Sequence, residues 1–183
     1  NLVESRYNPV QIEKMYEFVP SKLYENKGAT FISLARLKQY ATFTLKNMFG
    51  LIPDPMRPWW HGPKNSRIAT SIVDINKIYH SLFNVYGVCT SLKETAVPDP
   101  RGEYIAEYLG RYSILDGFGF IAMSRDMISL DSTLLKLTEE TTERVDIINV
   151  KPIKLAEKEG LGKENTEEIQ DAKRILGHWI TKP

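Results

Sequence analysis

The stretch TFISLARL, residues 30–37, decides the fold because it is apolar on both of its alternating faces. Such a strand is typical of a sheet with both faces buried, whereas a half-exposed strand alternates between apolar and polar residues. On the C-terminal side, residues 85–91 and 118–123 also have the composition of strands. Helical patterns separate and follow these strands. The alternation predicts an α/β protein whose predominantly parallel or mixed sheet is covered by helices.

Helical spacing of apolar residues recurs along the rest of the chain. The predicted helices cover residues 10–18, 41–49, 71–83, 126–137, 152–160 and 165–176. Ser71 with Asp74 resembles a capping box, and Asp126 is placed to cap its helix. The proline-rich residues 52–66 predict a long loop, and the polar residues 92–101 predict a second connecting segment.

Composition restricts the classes of function. A chain of 183 residues fits one hydrophobic core, so we expect a single domain over 1–183, and Asn1 at the start suggests a piece of a larger domain. The net charge of +1 creates no global field that would recruit nucleic acid or an anionic membrane. The only cysteine, Cys89, cannot form an internal disulfide, which favours a reducing, cytoplasmic compartment. No stretch has the length and apolarity of a membrane helix.

A basic segment follows the central strand. Lys38 comes directly after it, and Lys46, Arg57 and His61 follow before the proline-rich loop ends. In open α/β sheets, ligands bind beyond the carboxyl ends of the strands, where helix N–H groups favour phosphate or carboxylate. Cationic side chains add charge-assisted hydrogen bonds. The pattern indicates an anion site, although solvated lysines beside a long loop would give the same sequence.

The carboxylates of the chain admit more than one interpretation. Asp131 lies at the edge of an apolar helical face, so it either pairs with a cation such as Lys38 or Lys46 or stabilises the first helical turn. Asp74, Asp126 and Asp131 together would suit Mg²⁺, which prefers oxygen ligands. Apart from this carboxylate set, the sequence predicts no cofactor, and its three histidines lack metal-ligand spacing.

Three stretches carry a family resemblance. They are LK at 37–38 with TLKNMFGLIP at 44–53, Arg57 and His61; SRDMISLD at 124–131; and KLAEKEGLG at 154–162. In this order they resemble the family of domain of unknown function 362, DUF362, from about Thr30 to Gln170. Two positions depart from its pattern: Tyr40 stands where members commonly have histidine, and the segment after Asp116 and Gly117 lacks the usual glycines and prolines.

The resemblance implies no particular reaction, because none is established for the family. Members are often joined to ferredoxin-like cluster modules. This implies a redox or iron–sulfur protein as a partner, since the chain itself has too few cysteines to hold a cluster.

Two functions are consistent with these observations. The leading hypothesis is binding of, or catalysis on, a small carboxylate or phosphate compound. The predicted catalytic residues are Lys46 and His61, and the predicted ligand-binding residues are Lys38, Asn47, Arg57 and Asp131. The alternative is a non-enzymatic accessory module that docks its redox partner through Trp59 and Trp60, since aromatic residues are typical interface anchors. In that case the tryptophans would form an exposed patch rather than pack the loop.

Overall fold

Six helices and five strands form the part of the chain that the structure describes. The computed structural model describes residues 19–37, 42–52, 57–92, 95–106, 110–115, 119–142 and 151–165. Its helices are α1 (Ser21–Tyr24), α2 (Thr44–Met48), α3 (Arg57–His61), α4 (Ile68–Leu82), α5 (Met127–Thr142) and α6 (Lys151–Lys158). Its strands are β1 (Thr30–Arg36), β2 (Asn84–Ser91), β3 (Thr95–Ala106), β4 (Gly110–Leu115) and β5 (Phe120–Ser124).

A three-stranded mixed sheet organises the fold. β1 pairs in parallel with β2, from Thr30 opposite Asn84 to Arg36 opposite Thr90. β5 pairs antiparallel with the other side of β2, and the strand order is β1-β2-β5. The parallel pair requires a crossover, which α2, α3 and α4 supply. The predicted α/β class with a mixed sheet is confirmed.

Helices α2, α4 and α5 pack on the inner face of this sheet. Ser33 and Ala35 of β1 and Val85, Gly87 and Cys89 of β2 point to that face and are buried. α4 is buried along most of its length, and α5 contributes Met127 and Ile128, both inaccessible to solvent. Cys89 is free and buried, as is common for a cysteine that acts as a small apolar side chain. None of the described helices has the length and apolarity to cross a membrane.

The outer face of the sheet is apolar and exposed among the described residues. Ile32 and Leu34 of β1 are 60% and 62% exposed, and Ile121 and Met123 of β5 are 65% and 67% exposed. The expectation that β1 is buried on both faces is therefore wrong for the part of the chain that the structure describes. Both faces of β1 carry apolar residues, but the described residues cover only its inner face.

Two predicted connections contain regular structure. α3 and a 3₁₀ turn at Pro63–Asn65 lie inside the predicted loop 52–66. β3 occupies most of the predicted connecting segment 92–101 and forms a two-stranded antiparallel sheet with β4.

Helix α4 begins at Ile68, three residues before the predicted capping box. The Ser71 hydroxyl donates to the Trp60 carbonyl, 2.9 Å away, rather than capping a helix. The predicted helices at 10–18 and beyond residue 165 lie outside the described residues, so the domain extent of 1–183 stays a prediction.

Candidate functional site

A buried carboxylate fixes the segment that follows β1. Asp131 of α5 is completely buried. Its Oδ2 accepts hydrogen bonds from the backbone N–H groups of Phe43 (2.8 Å) and Leu45 (3.1 Å). Its Oδ1 accepts from the N–H (3.0 Å) and the hydroxyl (2.7 Å) of Thr44. Asp131 therefore caps the N-terminus of α2, although the two helices are far apart in sequence.

Burial dominates the electrostatics of Asp131. Loss of solvent raises the pKa of its carboxyl to about 6 from an ordinary value of 3.8, although the hydrogen bonds from Thr44, Leu45 and Phe43 act to lower it. The neutral form is favoured by the apolar surroundings, and the charged form by the donors and by the helix dipole.

The contacts of Asp131 correct two expectations, one about the partner of Asp131 and one about the N–H groups at the start of α2. Asp131 was expected either to pair with a cation such as Lys38 or Lys46 or to stabilise the first turn of its own helix, but its described partners are backbone N–H groups and a hydroxyl of residues 43–45. Helix N–H groups were expected to receive an external phosphate or carboxylate. At α2 those of residues 43–45 already bind the carboxylate of the protein itself, so an external anion needs side-chain donors.

A second set of hydrogen bonds ties α2 to β1. The buried Ser33 hydroxyl donates to the Thr44 carbonyl, 3.0 Å away. The Asn47 amide nitrogen donates to the Ser33 hydroxyl oxygen (3.1 Å) and to the Leu34 carbonyl (3.2 Å). These bonds and those of Asp131 hold strand, helix α2 and helix α5 together.

Close packing against the backbone of β2 also holds α2 and α5 in place. A Cβ atom on Gly87 of β2 would lie 2.8 Å from Met127 Cγ and 3.0 Å from Thr44 Oγ1. Glycine is needed because α2 and α5 both approach the sheet at this position.

Arg57 and His61, which share one face of α3, both contact the turn after α2. Arg57 Nε donates to the Ile52 carbonyl (3.1 Å), and Arg57 Nη2 approaches the Gly50 carbonyl at 3.4 Å. The His61 ring packs edge-on against Phe49, with 4.9 Å between centroids. His61 Nδ1 lies 3.2 Å from the Asn65 side-chain oxygen. α3 is thus fastened to the turn that follows Lys46.

The predicted site residues therefore have different positions. Lys46 and Asn47 lie on α2, partly buried, and Arg57 and His61 lie on the adjacent α3. Asp131 lies on α5, is completely buried and contacts residues 43–45. Lys38 and Tyr40 lie outside the described residues, as do Asp116 and Gly117. The grouping of cations around one ligand stays a prediction.

The two tryptophans have opposite environments. Trp60 is 1% exposed and belongs to the core, whereas Trp59 is 41% exposed. The Arg67 guanidinium carbon lies 4.1 Å from the centroid of the Trp59 ring. The predicted exposed patch of both tryptophans is therefore reduced to Trp59.

The other carboxylates have structural roles. Asp126 Oδ1 accepts from the N–H groups of Ile128 and Ser129, both at 2.9 Å, which confirms its capping role. Asp126 Oδ2 accepts from the Lys163 N–H at 2.9 Å. Asp74 is buried in the middle of α4. Within the described ranges, no three or more histidine, cysteine or acidic side chains are grouped in a way that could hold a metal ion.

Neither Ser33 nor Thr44 was predicted from the sequence to have a role at the site. Ser33 is the one polar residue among the inward-facing positions of β1, since Phe31 and Ala35 are its neighbours on that face. A hydroxyl in an otherwise apolar alternation was the available signal, because a buried hydroxyl needs a partner.

Comparisons with known proteins identify the family of the chain. The family model described as Domain of unknown function (DUF362) matches residues 1–136. Searches of curated proteins and of solved structures found no match. The matched range contains α2, α3 and Asp131, whereas the GLG stretch at 160–162 lies beyond it. The chain therefore belongs to the DUF362 family.

Proposed function

We propose that this chain binds a small carboxylate or phosphate compound beside α2 and α3, at the carboxyl end of β1. The main supporting observation is the buried Asp131 carboxylate, which fixes the start of α2 directly after a strand of the parallel pair. Ligand sites of open α/β sheets occur at this edge. Pre-organised side chains lose less entropy on binding than mobile ones.

The local charge supports an anionic ligand. Residues 38–67 contain five basic residues and one acidic residue, Asp54, so their formal charge is +4. The whole chain has a net charge of only +1. The basic residues are Lys38, Lys46, Arg57, Lys64 and Arg67. A local excess of this size attracts anions over roughly a Debye length, about 8 Å at physiological salt.

In this proposal each side chain has a distinct role. Lys46 and Lys38 provide the ammonium groups for the anion, and Arg57 adds positive charge from a fixed position. Asn47 uses its amide nitrogen on Ser33 and Leu34, so its oxygen is the atom that would accept a hydrogen bond from the ligand. When His61 Nδ1 donates to Asn65, its Nε2 is the atom that accepts a proton from the ligand.

Replacement of Lys46 tests the proposal. We expect inorganic phosphate or succinate, added in large excess, to raise the melting temperature of the wild-type protein by about 5 to 10 °C. K46A should lose this shift because the main ammonium group is absent. Differential scanning fluorimetry over a ligand titration provides the measurement.

Lys154→Ala is the matched control, because Lys154 is an exposed lysine of α6. It should retain the full shift. A wild-type melting temperature that neither phosphate nor a panel of small carboxylates changes would contradict the proposed function.

A second candidate function is the docking of a redox or iron–sulfur protein. Its support is the half-exposed Trp59 with Arg67 stacked on it, since tryptophan and arginine are common interface anchors. W59A should weaken capture of such a partner without changing the anion-induced shift. Equal partner recovery by wild type and W59A would remove this candidate.

A further inference from the structure

A cavity of about 340 Å³ lies at the opposite end of the sheet from the candidate site. Thr30 and Asn84, the first residues of β1 and β2, line it. Because β5 runs antiparallel to β2, its carboxyl end reaches the same edge and places Arg125 in the wall. His80 and Phe83, from the end of α4 and the residue after it, form another part of the wall. The volume is within the range of small-molecule sites.

Arg125 has a fixed position in this cavity. Its Nε donates to the Tyr86 hydroxyl oxygen at 2.5 Å, and its guanidinium carbon lies 5.0 Å from the centroid of the Tyr86 ring. A guanidinium with Nε engaged still has two terminal amino groups, which match the two oxygens of a carboxylate. Among the described residues, Tyr86 is its hydrogen-bond partner, and the two terminal amino groups have none.

The charge of Arg125 has no acidic partner in the described part of the chain. Its sequence neighbour Asp126 directs both carboxylate oxygens to backbone N–H groups, those of Ile128, Ser129 and Lys163. A positive group in a concave site therefore lacks a described counter-charge.

The remaining polar groups define what else the ligand should carry. The Tyr86 hydroxyl accepts from Arg125, so its own hydrogen can be donated to a carboxylate oxygen. The Asn84 amide nitrogen donates to the Gly28 carbonyl at 3.2 Å, which leaves its oxygen as an acceptor. That oxygen suits a hydroxyl or ammonium group on the ligand.

We propose that this cavity is a second ligand site, which binds a small organic carboxylate that also carries a hydroxyl or ammonium group. Arg125 and Tyr86 bind the carboxylate, and Asn84 accepts from the second group. A carboxylate fits better than a phosphate dianion, because Arg125 is the permanent cation among the described lining residues. This site is separate from the proposed anion site at α2 and α3.

The test uses butyrate and 3-hydroxybutyrate, which differ by one hydroxyl group. We expect both to shift the ¹H–¹⁵N signal of Arg125 Nε during titration, with severalfold tighter binding of the hydroxylated probe. R125Q should weaken binding about ten- to a hundredfold, as expected for loss of a charged hydrogen-bond donor. Y86F, which keeps the ring but loses the hydroxyl, should weaken binding less.

Two controls separate this site from the other one. Lys154→Gln removes an exposed charge from α6 and should leave the affinities for butyrate and 3-hydroxybutyrate unchanged. K46A should abolish the phosphate-induced thermal shift and leave the Arg125 signal responsive, so failure of one site is distinguishable from failure of the other.

Two results would overturn the inference. One is a wild-type Arg125 signal that does not respond to either probe at tens of millimolar concentration. The other is equal affinity in wild type and Y86F together with equal affinity for the two probes. Both rely on folded proteins and stand even if R125Q does not fold.

Discussion

At the scale of single residues, Asp131 is the group on which most of the site depends. It is a carboxylate without solvent contact, and its four described hydrogen bonds all come from residues 43–45. Removing such an acceptor leaves several buried donors unsatisfied, at a cost of about 1–3 kcal/mol each. Asp131 was predicted as a ligand-binding residue; its described contacts hold the start of α2, and its binding of a ligand stays a prediction.

The raised pKa of Asp131 predicts a pH dependence of stability. In the unfolded chain the carboxyl loses its proton near pH 3.8, whereas in the folded protein it does so near pH 6. Between these values the folded state binds more protons, so the contribution of Asp131 to the free energy of unfolding decreases as pH rises. The total decrease is about 3 kcal/mol, and it is complete above about pH 6.

The variant D131N, which cannot titrate, should lose this component. Urea denaturation of both proteins from about pH 4 to about pH 7 measures it as a falling difference between wild type and variant. A ¹³Cγ titration of Asp131 in the wild-type protein gives the same midpoint without a variant. A midpoint below that of a model carboxyl would contradict the prediction.

At the scale of elements, the parts with simple periodicity were predicted, and two elements that contain proline, α3 and β3, were not. β2, β5, α5 and α6 lie within a few residues of their predicted positions. α3 was missed because its Pro58 was taken as a sign of a loop, yet proline is well tolerated in the first turn of a helix.

β3 was missed for a related reason. Pro98 lies at a register shift in its pairing with β4, where the strand lacks a regular ladder. Sequence spacing places Lys46, Asn47, Arg57 and His61 after β1, and their grouping around one ligand stays a prediction. Sequence spacing contains no information on Asp131 as the partner of α2, because that contact depends on the tertiary fold.

The packing of α2 and α5 on β2 predicts a cost for enlarging Gly87. In G87A the added methyl group would contact Met127 and Thr44, and Thr44 cannot move easily because Asp131 holds it. We expect a loss of about 1–3 kcal/mol in the free energy of unfolding, typical of overpacking. Gly50→Ala is the control, because its added Cβ would have no atom within 4 Å. Equal stability of the two variants would show that α2 and α5 pack less tightly on β2 than described.

At the scale of the whole molecule, the described helices cover only one face of the sheet. Sheets with parallel strands usually have both faces covered. Here Ile32, Leu34, Ile121 and Met123 form an exposed apolar surface on the other face. Leu34 and Met123 both lie opposite Val88, so they belong to one continuous row across the three strands.

Charge substitutions on this outer face test its exposure. The double variant L34K/M123K should keep the wild-type free energy of unfolding within about 1 kcal/mol, because exposed positions tolerate charge. It should also bind less of the dye ANS and self-associate less in sedimentation experiments, because the apolar surface is interrupted. Loss of folding in the double variant would mean that the face is covered in the native protein.

Because the cap on α2 comes from Asp131, it also affects the order in which parts of the chain can fold during synthesis. The N–H of Phe43 and the carboxylate of Asp131 are 88 residues apart. At cellular translation speeds, a ribosome needs on the order of ten seconds to add that many residues. During this interval α2 lacks the carboxylate that caps it, so the segment carrying Lys46 reaches its final geometry only after Asp131 has been synthesised.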